Sequence, residues 1–252
     1  MFFAFIFGCC YGIYEVAINL QASQIEKRER RSMMSGFHAF FSLGILAGSF
    51  ITSFFLEWQI SFFTNTLIYV IVMLPLSFIF ANFLDSDEAV SESNESNIFF
   101  KWPLILFLLA ILSMTDALTE GGVDAWAALY MRDIVGAKGF TIGIATISFN
   151  LLMVIGRLIG DRLRDRLGVH IFLILLISLC IVGLVIIFIY SSIVSSIIGF
   201  GVLGFGASSI VPLAYSIAGK IKGVDSTVGI TIISISVYGI FMIAPGLMGF
   251  IA

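Results

Sequence analysis

Long apolar stretches, separated by short polar segments, dominate the chain. Each is long enough to cross the roughly 30 Å hydrocarbon core of a bilayer as a helix. Their near-continuous apolarity differs from a membrane β-barrel, whose strands alternate apolar and polar side chains. Backbone groups in lipid must be satisfied internally, so the spans are predicted to be helices. Eight spans are predicted, at about 2–22, 36–56, 61–84, 103–130, 140–161, 169–190, 194–217 and 227–251.

Composition supports a multi-pass membrane protein surrounded by lipid. Of 252 residues, 60% are hydrophobic and 12% are charged, whereas soluble domains carry about 25% charged residues. The sequence contains no Walker A pattern, HExxH, paired CxxC or glycine-rich dinucleotide turn. Those motifs would indicate ATP-driven transport, a metal site or a nicotinamide enzyme. We therefore expect no enzymatic activity, no cofactor, no metal and no nucleic-acid partner.

Lysine and arginine are distributed unevenly between the two ends of the spans. Eleven fall on one predicted side, and only Arg132 and Lys138 fall on the other. Because cytoplasmic loops are enriched in these residues, the eleven mark the cytoplasm and the chain starts outside. The eleven are Lys27, Arg28, Arg30, Arg31, Lys101, Arg157, Arg162, Arg164, Arg166, Lys220 and Lys222.

A polar linker and an internal repeat predict how the chain is organised. Residues 85–102 are rich in serine, asparagine and acidic residues, which predicts a cytoplasmic linker between a three-span segment, 1–84, and a five-span segment, 103–252. At an offset of about 194 residues, the first span aligns with the seventh and the second with the eighth. A fixed period indicates a duplicated unit. The offset predicts that about four of twelve helices lie outside this chain, which holds the fourth to the eleventh.

The strongest local motif is GRLIGDRLRDRLG, residues 156–168. Gly156 and Gly160 lie one turn apart on one helix face, where small residues allow close backbone approach. Asp161 follows at the predicted cytoplasmic end of the span. Small residues beside a charge cluster suit a gate, although ordinary positive-inside anchoring would explain the arginines alone. The candidate gate consists of Gly156, Arg157, Gly160, Asp161, Arg162, Arg164 and Arg166.

This motif resembles the loop motif of the major facilitator superfamily, which occurs between helices two and three and again between helices eight and nine. Its place between the fifth and sixth predicted spans matches the second copy. The resemblance implies an all-α fold of two six-helix bundles. It also implies that Asp161 and the arginines contact a neighbouring helix and stabilise the outward-facing state.

Carboxylates inside the spans are functional candidates, because an ionisable side chain at the bilayer centre costs about 2.5–3.5 kcal/mol on insertion scales. Glu15 lies well inside the first span. The segment GIYEVAINLQ resembles a helix of fucose-permease-like sugar/proton symporters, whose cavity-facing glutamate and asparagine are matched by Glu15 and Asn19. The proline that often follows in that group is absent. A carboxyl that is only hydrogen-bonded within the bundle is the alternative.

The fourth span carries Asp116, Glu120 and Asp124 on one helix face. Because carboxylates are not tolerated in lipid, this face is expected to line a cavity or to contact polar partners. Carboxyls that change protonation there are what proton coupling requires. Gly121 and Gly122 could break this helix, and Asp124 could instead lie at the outer surface. The segment EGGVDAWAALYMRD resembles helix seven of an uncharacterised bacterial inner-membrane branch of the superfamily.

The function predicted from these patterns is secondary active transport of a small polar solute, with a sugar as one candidate, coupled to protons by alternating access. The expected location is the bacterial inner membrane, and the expected working unit is a monomer. The alternative is a membrane protein that transports nothing, such as the inactive product of a decayed gene. Pro75, Pro212 and Pro245, in the third, seventh and eighth spans, are predicted to kink their helices.

Overall fold

The computed structural model describes residues 2–83 and 102–251. These ranges are helical and contain no β-strand. Most of the predicted linker, with Lys101, lies outside them. The helices are α1 (Phe2–Glu29), α2 (Met34–Glu57), α3 (Phe62–Ala81), α4 (Leu104–Asp133), α5 (Ile144–Leu167), α6 (Val169–Ile189), α7 (Ile193–Ala207), α8 (Ile210–Ala218) and α9 (Ser226–Ile251), with a short 3₁₀ helix, Gly139–Gly143, before α5.

Six helical segments of the described chain are long and apolar enough to cross a membrane. The α2 helix adds a shorter apolar segment, Met34–Gly48, and α1 is 28 residues long. The prediction of an all-α, polytopic bundle is therefore confirmed. The six segments are Phe62–Ala81, Leu104–Asp133, Thr141–Leu167, Val169–Ile189, Ile193–Ala218 and Ser226–Ile243.

The described chain divides into two compact units. The smaller one comprises the described residues of Leu43–Glu95, where the Tyr69 hydroxyl donates a hydrogen bond to the Gly48 carbonyl at 2.9 Å and ties α3 to α2. The larger one comprises the described residues of Met1–Ser42 and Ser96–Ala252. Every candidate functional residue lies in the larger unit.

Glycines set the closest helix packing in the larger unit. A Cβ added at Gly183 of α6 would lie 2.6 Å from the Leu203 nitrogen of α7, and one at Gly206 would lie 2.6 Å from the Cys180 nitrogen. A Cβ at Gly204 would collide with the Phe149 backbone of α5. Small residues let membrane helices approach closely and gain van der Waals contact where burial from water contributes little. Helices α5, α6 and α7 therefore pack closely together beside the polar residues described below.

Candidate functional site

The predicted seventh span is interrupted inside the bundle. Helix α7 ends at Ala207 and α8 begins at Ile210, with Ser208 and Ser209 between them. Pro212 explains the break, because it has no N–H and its ring clashes with the carbonyl four residues earlier, that of Ser208. The Ser208 carbonyl accepts a hydrogen bond from Arg157 Nε at 3.0 Å instead. The proline thus opens the backbone, and an arginine on a neighbouring helix satisfies the freed group.

Arg157 is buried, with 5% of its surface exposed. Its Nη2 lies 3.0 Å from Glu120 Oε1, and its Nη1 donates to Ser42 Oγ. Together with the bond to Ser208, these contacts join α5 to α4, to α2 and to the α7–α8 break. All three guanidinium nitrogens are engaged, as a charge inside a membrane bundle requires.

Asp116 lies one turn before Glu120 and is 3% exposed. Both carboxyl oxygens are buried without a hydrogen-bond partner among the described residues. The carboxyl lies near the backbone N–H of Val211, in the first turn of α8, although the pair does not meet hydrogen-bond geometry. The first N–H groups of a helix have no partner within it and favour negative charge. The break between α7 and α8 therefore has Arg157 at the free carbonyl of Ser208 and the Asp116 carboxyl near the free N–H groups at the start of α8.

The hypothesis that Gly121 and Gly122 interrupt the fourth span is wrong, because α4 runs unbroken from Leu104 to Asp133. A Cβ at Gly121 would lie 3.0 Å from the Phe241 ring of α9. Gly121 therefore allows α9 to pack closely on α4. Asp124 follows on the same face, but it is exposed and lies near Asn150 of α5.

Glu15 and Asn19 form a second buried group, and each is 4% exposed. Asn19 Nδ2 donates to the Glu15 carbonyl at 2.9 Å and to Glu15 Oε2 at 3.3 Å. Asn19 Oδ1 is left to accept, so His38 Nε2, 3.1 Å away, is the donor. The His38 ring stacks on Tyr215 of α8 with centroids 5.7 Å apart. The resemblance pairs Glu15 with Asn19, and the structure brings the two side chains together.

Helix α2 joins the two groups. Ser42 lies one turn after His38 and donates to its carbonyl at 3.1 Å, while Ser42 Oγ also accepts from Arg157. Polar contacts are thus continuous from α1, through α2, to α4 and α5. We call this set the interior network: Glu15, Asn19, His38, Ser42, Asp116, Glu120 and Arg157.

A separate charge cluster closes one end of the bundle around Glu26, whose side chain is fully buried. Glu26 Oε1 accepts from Ser216 Oγ at 2.6 Å and lies 2.8 Å from Lys220 Nζ and 3.2 Å from Arg164 Nη1. These contacts tie the end of α1 to α5, to α8 and to the segment that follows α8. An ionised carboxylate bound by several donors is held strongly.

Two further carboxylates tie α5 to the start of α2. Asp161 accepts from the backbone N–H groups of Ser35 at 3.2 Å and Gly36 at 2.8 Å, so it caps the helix from outside. Asp165 Oδ1 accepts from Ser32 Oγ at 2.6 Å. The resemblance implies that Asp161 contacts a neighbouring helix, and in the structure that helix is α2. The end cluster comprises Glu26, Asp161, Arg164, Asp165, Ser216 and Lys220.

The candidate gate motif divides between these two regions. Asp161 and Arg164 belong to the end cluster, whereas Arg157 belongs to the interior network. The prediction that Arg157 is one of the cytoplasmic loop cations is wrong, because its side chain is buried against Glu120. Arg162 and Arg166 are exposed on the last turns of α5, which extends to Leu167. Cβ atoms at Gly156 and Gly160 would collide with the side chains of Ser208 and Ser209, so both glycines pack against the α7–α8 break.

Several important residues of the two regions were not identified from the sequence. Glu26 stands in the run EKRER, which is typical of a solvated helix end. Ser42, Ser208 and Tyr215 are of types common in membrane helices. Pro212 offered the one usable signal, because a proline inside a membrane helix frees a carbonyl that another polar group must satisfy.

The chain is similar over almost its whole length to proteins with transporter or membrane-protein names. An uncharacterized MFS-type transporter of Yersinia pestis is 32% identical over 249 residues, covering 98% of this chain and 64% of the relative. The membrane protein MosC of Rhizobium meliloti is 28% identical, covering 98% and 60%. The uncharacterized transporter y4wD of Sinorhizobium fredii is 28% identical, covering 98% and 66%.

The chain therefore spans about three-fifths to two-thirds of the length of these relatives. No protein-family model matches it, and no solved structure matches it. The relatives and the six membrane-capable helices of the described chain together indicate a multi-pass integral membrane protein that is similar to transporters.

Proposed function

We propose that the chain forms part of a major facilitator secondary transporter of the bacterial inner membrane. It moves a small polar solute, with a sugar as one candidate, by alternating access coupled to protons, and it works as a monomer. The observation that carries the proposal is the buried Arg157–Glu120 pair beside the unpartnered carboxyl of Asp116. One arginine faces two carboxyls there, and a proton can balance the second.

The composition of the interior network supports this mechanism. Placing charges within a membrane bundle is costly, and a purely structural bundle packs better without them. Protonation or solute binding at Glu120 or Asp116 would change which group Arg157 pairs with. Glu15, joined through Asn19 and His38, provides a second carboxyl in the same network.

A contact at the end cluster supports the duplicated organisation, with bundles in 1–84 and 103–252 and a linker at 85–102. Glu26 and Lys220 are in contact and lie 194 positions apart, which is the offset of the sequence repeat. Equivalent positions of two repeats touch when they lie close to the axis that relates the repeats. In the major facilitator type, that axis runs along the membrane normal between the two halves.

The end cluster is the proposed gate. It joins α1 and α2, from the first segment, to α5 and α8, from the second. The cation distribution assigns this end to the cytoplasm. The described conformation is then closed towards the cytoplasm, and solute enters the interior network from the opposite side.

Proton uptake driven by a panel of neutral monosaccharides tests the proposal, measured in proteoliposomes that contain the complete protein. Glu15→Gln and Glu120→Gln should each abolish coupling, because the amide cannot carry the proton. Asp124→Asn is the matched control and should keep it, because Asp124 is exposed. Normal coupling in both glutamate variants would remove these residues from the mechanism. A wild-type protein that moves neither solute nor protons would favour the non-transporting alternative.

A further inference from the structure

A cleft of about 360 Å³ opens at the basic end of the bundle, beside the end cluster. Its volume falls within the roughly 300–1,000 Å³ of small-ligand sites. The lining comes from the end of α1, the turn into α2, the last turns of α5 and the segment after α8. The lining residues are Glu26, Lys27, Arg30, Arg31, Ser32, Asp165 and Lys220.

Positive charge in this cleft exceeds what its carboxylates can balance. Glu26 is buried and already bound by Arg164 and Lys220, and Asp165 accepts from Ser32. Arg30 and Arg31 are exposed and make no ion pair or hydrogen bond within the described residues. Two guanidinium groups of the cleft are therefore left without a partner in the part of the chain that the structure describes.

The backbone at Arg30 is the second unusual feature. Its φ is +52°, in the left-handed region where glycine or asparagine normally ends a helix. An arginine there is disfavoured by contact between its Cβ and the backbone. A disfavoured conformation that the surrounding structure maintains is common at ligand sites. Here it turns the chain so that two consecutive arginines line the cleft.

From these features we infer that the cleft binds a phosphate group, carried by a soluble anion or by a lipid headgroup. The planar guanidinium fork matches phosphate oxygens in a bidentate manner. Lys27 also lines the cleft and adds a point charge, although its ammonium donates one hydrogen bond to Ser226. Ordinary positive-inside anchoring requires cations near the membrane, but it does not require four of them to converge on one cleft. The inference does not depend on transport activity. If the proposed gate is correct, a bound phosphate would also hold the closed end together.

Thermal unfolding of the purified chain in detergent tests the soluble source. Inorganic phosphate should raise the unfolding midpoint above that in chloride at equal ionic strength. A second arm uses nanodiscs of phosphatidylcholine with or without phosphatidylglycerol, with native mass spectrometry counting the lipids retained. The test variant is Arg30→Gln/Arg31→Gln. The control is Arg28→Gln, since Arg28 pairs with Glu29 and does not line the cleft.

We expect the double variant to bind phosphate or retain phosphatidylglycerol about ten-fold more weakly or worse, the loss expected for charge-assisted hydrogen bonds. The control should bind as the wild type does. A response to phosphate identifies a soluble anion, and a response confined to nanodiscs identifies a lipid headgroup; either supports the site. Equal binding by the double variant and the control would overturn it, as would no response in either arm. Circular dichroism checks that the variants are folded, and Arg31→Gln alone replaces the double variant if they are not.

Discussion

The interior network and the end cluster both join α1 and α2 to the helices after residue 102, but they differ in how many hydrogen-bond donors contact each carboxylate. At the end cluster, Glu26 is bound by three donors and Asp161 by two backbone amides. In the interior network, Glu120 has one arginine and Asp116 has no hydrogen-bond partner among the described residues.

This difference separates a region that holds a conformation from one that can change its charge state. A carboxylate with several donors is stabilised as the anion and keeps its partners. A buried carboxyl without a partner is costly when ionised and is free to take up a proton or a ligand. The end cluster therefore has the properties of a latch that holds one end of the bundle closed, and the interior network has those of a site that couples protons to solute. The following predictions test that division, from the largest expected effect to the smallest.

Arg157→Leu should destabilise the protein by about 3–5 kcal/mol, because it leaves Glu120 buried without its counter-charge and the Ser208 carbonyl unsatisfied. Chemical unfolding in mixed micelles measures the change. Arg157→Leu/Glu120→Leu should recover part of the loss. Arg132→Leu is the control, since Arg132 is exposed. Equal stability of Arg157→Leu and Arg132→Leu would show that the interior ion pair is unimportant.

Glu26→Ala should cost less, about 1–3 kcal/mol, because Lys220 can reach water and Arg164 keeps its hydrogen bond to Ser216. The side chain of Lys220 is already 36% exposed. Amide hydrogen exchange should become faster in the segment between α8 and α9, which loses its attachment to α1. Glu29→Ala, at the exposed end of α1, should leave exchange unchanged. Unchanged exchange in Glu26→Ala would contradict the role of Glu26 as a latch.

Gly160→Ala should destabilise by about 1–3 kcal/mol, since the added methyl group meets Ser209 at the α7–α8 break. Gly12→Ala in α1 is the matched control, because its Cβ would enter open space. Alanine is the better helix former, so the control should be neutral or slightly stabilising. Thermal unfolding distinguishes the two, and similar midpoints would show that the break packs more loosely than described.

Asp124→Asn should have the smallest effect, within about 0.5 kcal/mol of the wild type, because Asp124 is exposed at the end of the carboxylate face. Unfolding in mixed micelles is again the measurement. A large loss would extend the interior network to Asp124 and its neighbour Asn150.

The positions of the helices could be predicted from the sequence because a long, continuous apolar run is a local signal. The eight predicted spans match the described helices, except that the seventh is broken at Ser208 and Ser209. The break was only partly predictable. Pro75, Pro212 and Pro245 each indicated a kink, but α3 and α9 continue through their prolines. Satisfaction of the Ser208 carbonyl by Arg157, 51 positions earlier, depends on the tertiary fold.

The candidate site was harder to predict, since its partners are distant in sequence. Glu120, Asp116 and Glu15 were identified from their depth in the spans, but nothing local placed Arg157 against Glu120 or against Ser42, 115 positions away. Glu26 resembles a solvated residue until Lys220 and Arg164 are placed beside it. The Gly121–Gly122 hypothesis was wrong because α4 is continuous through both glycines, and Gly121 lies against the Phe241 ring of α9.

The division between latch and coupling site is tested most directly by the distance between spin labels at Arg28→Cys and Arg166→Cys, in a background lacking the native cysteines. Both positions are exposed, at the ends of α1 and α5. Double electron–electron resonance in nanodiscs should give one short distance for the wild type and a second, longer population for Glu26→Gln. Glu120→Gln should keep the latch and its short distance. An unchanged distribution in Glu26→Gln, or opening by Glu120→Gln alone, would contradict the account.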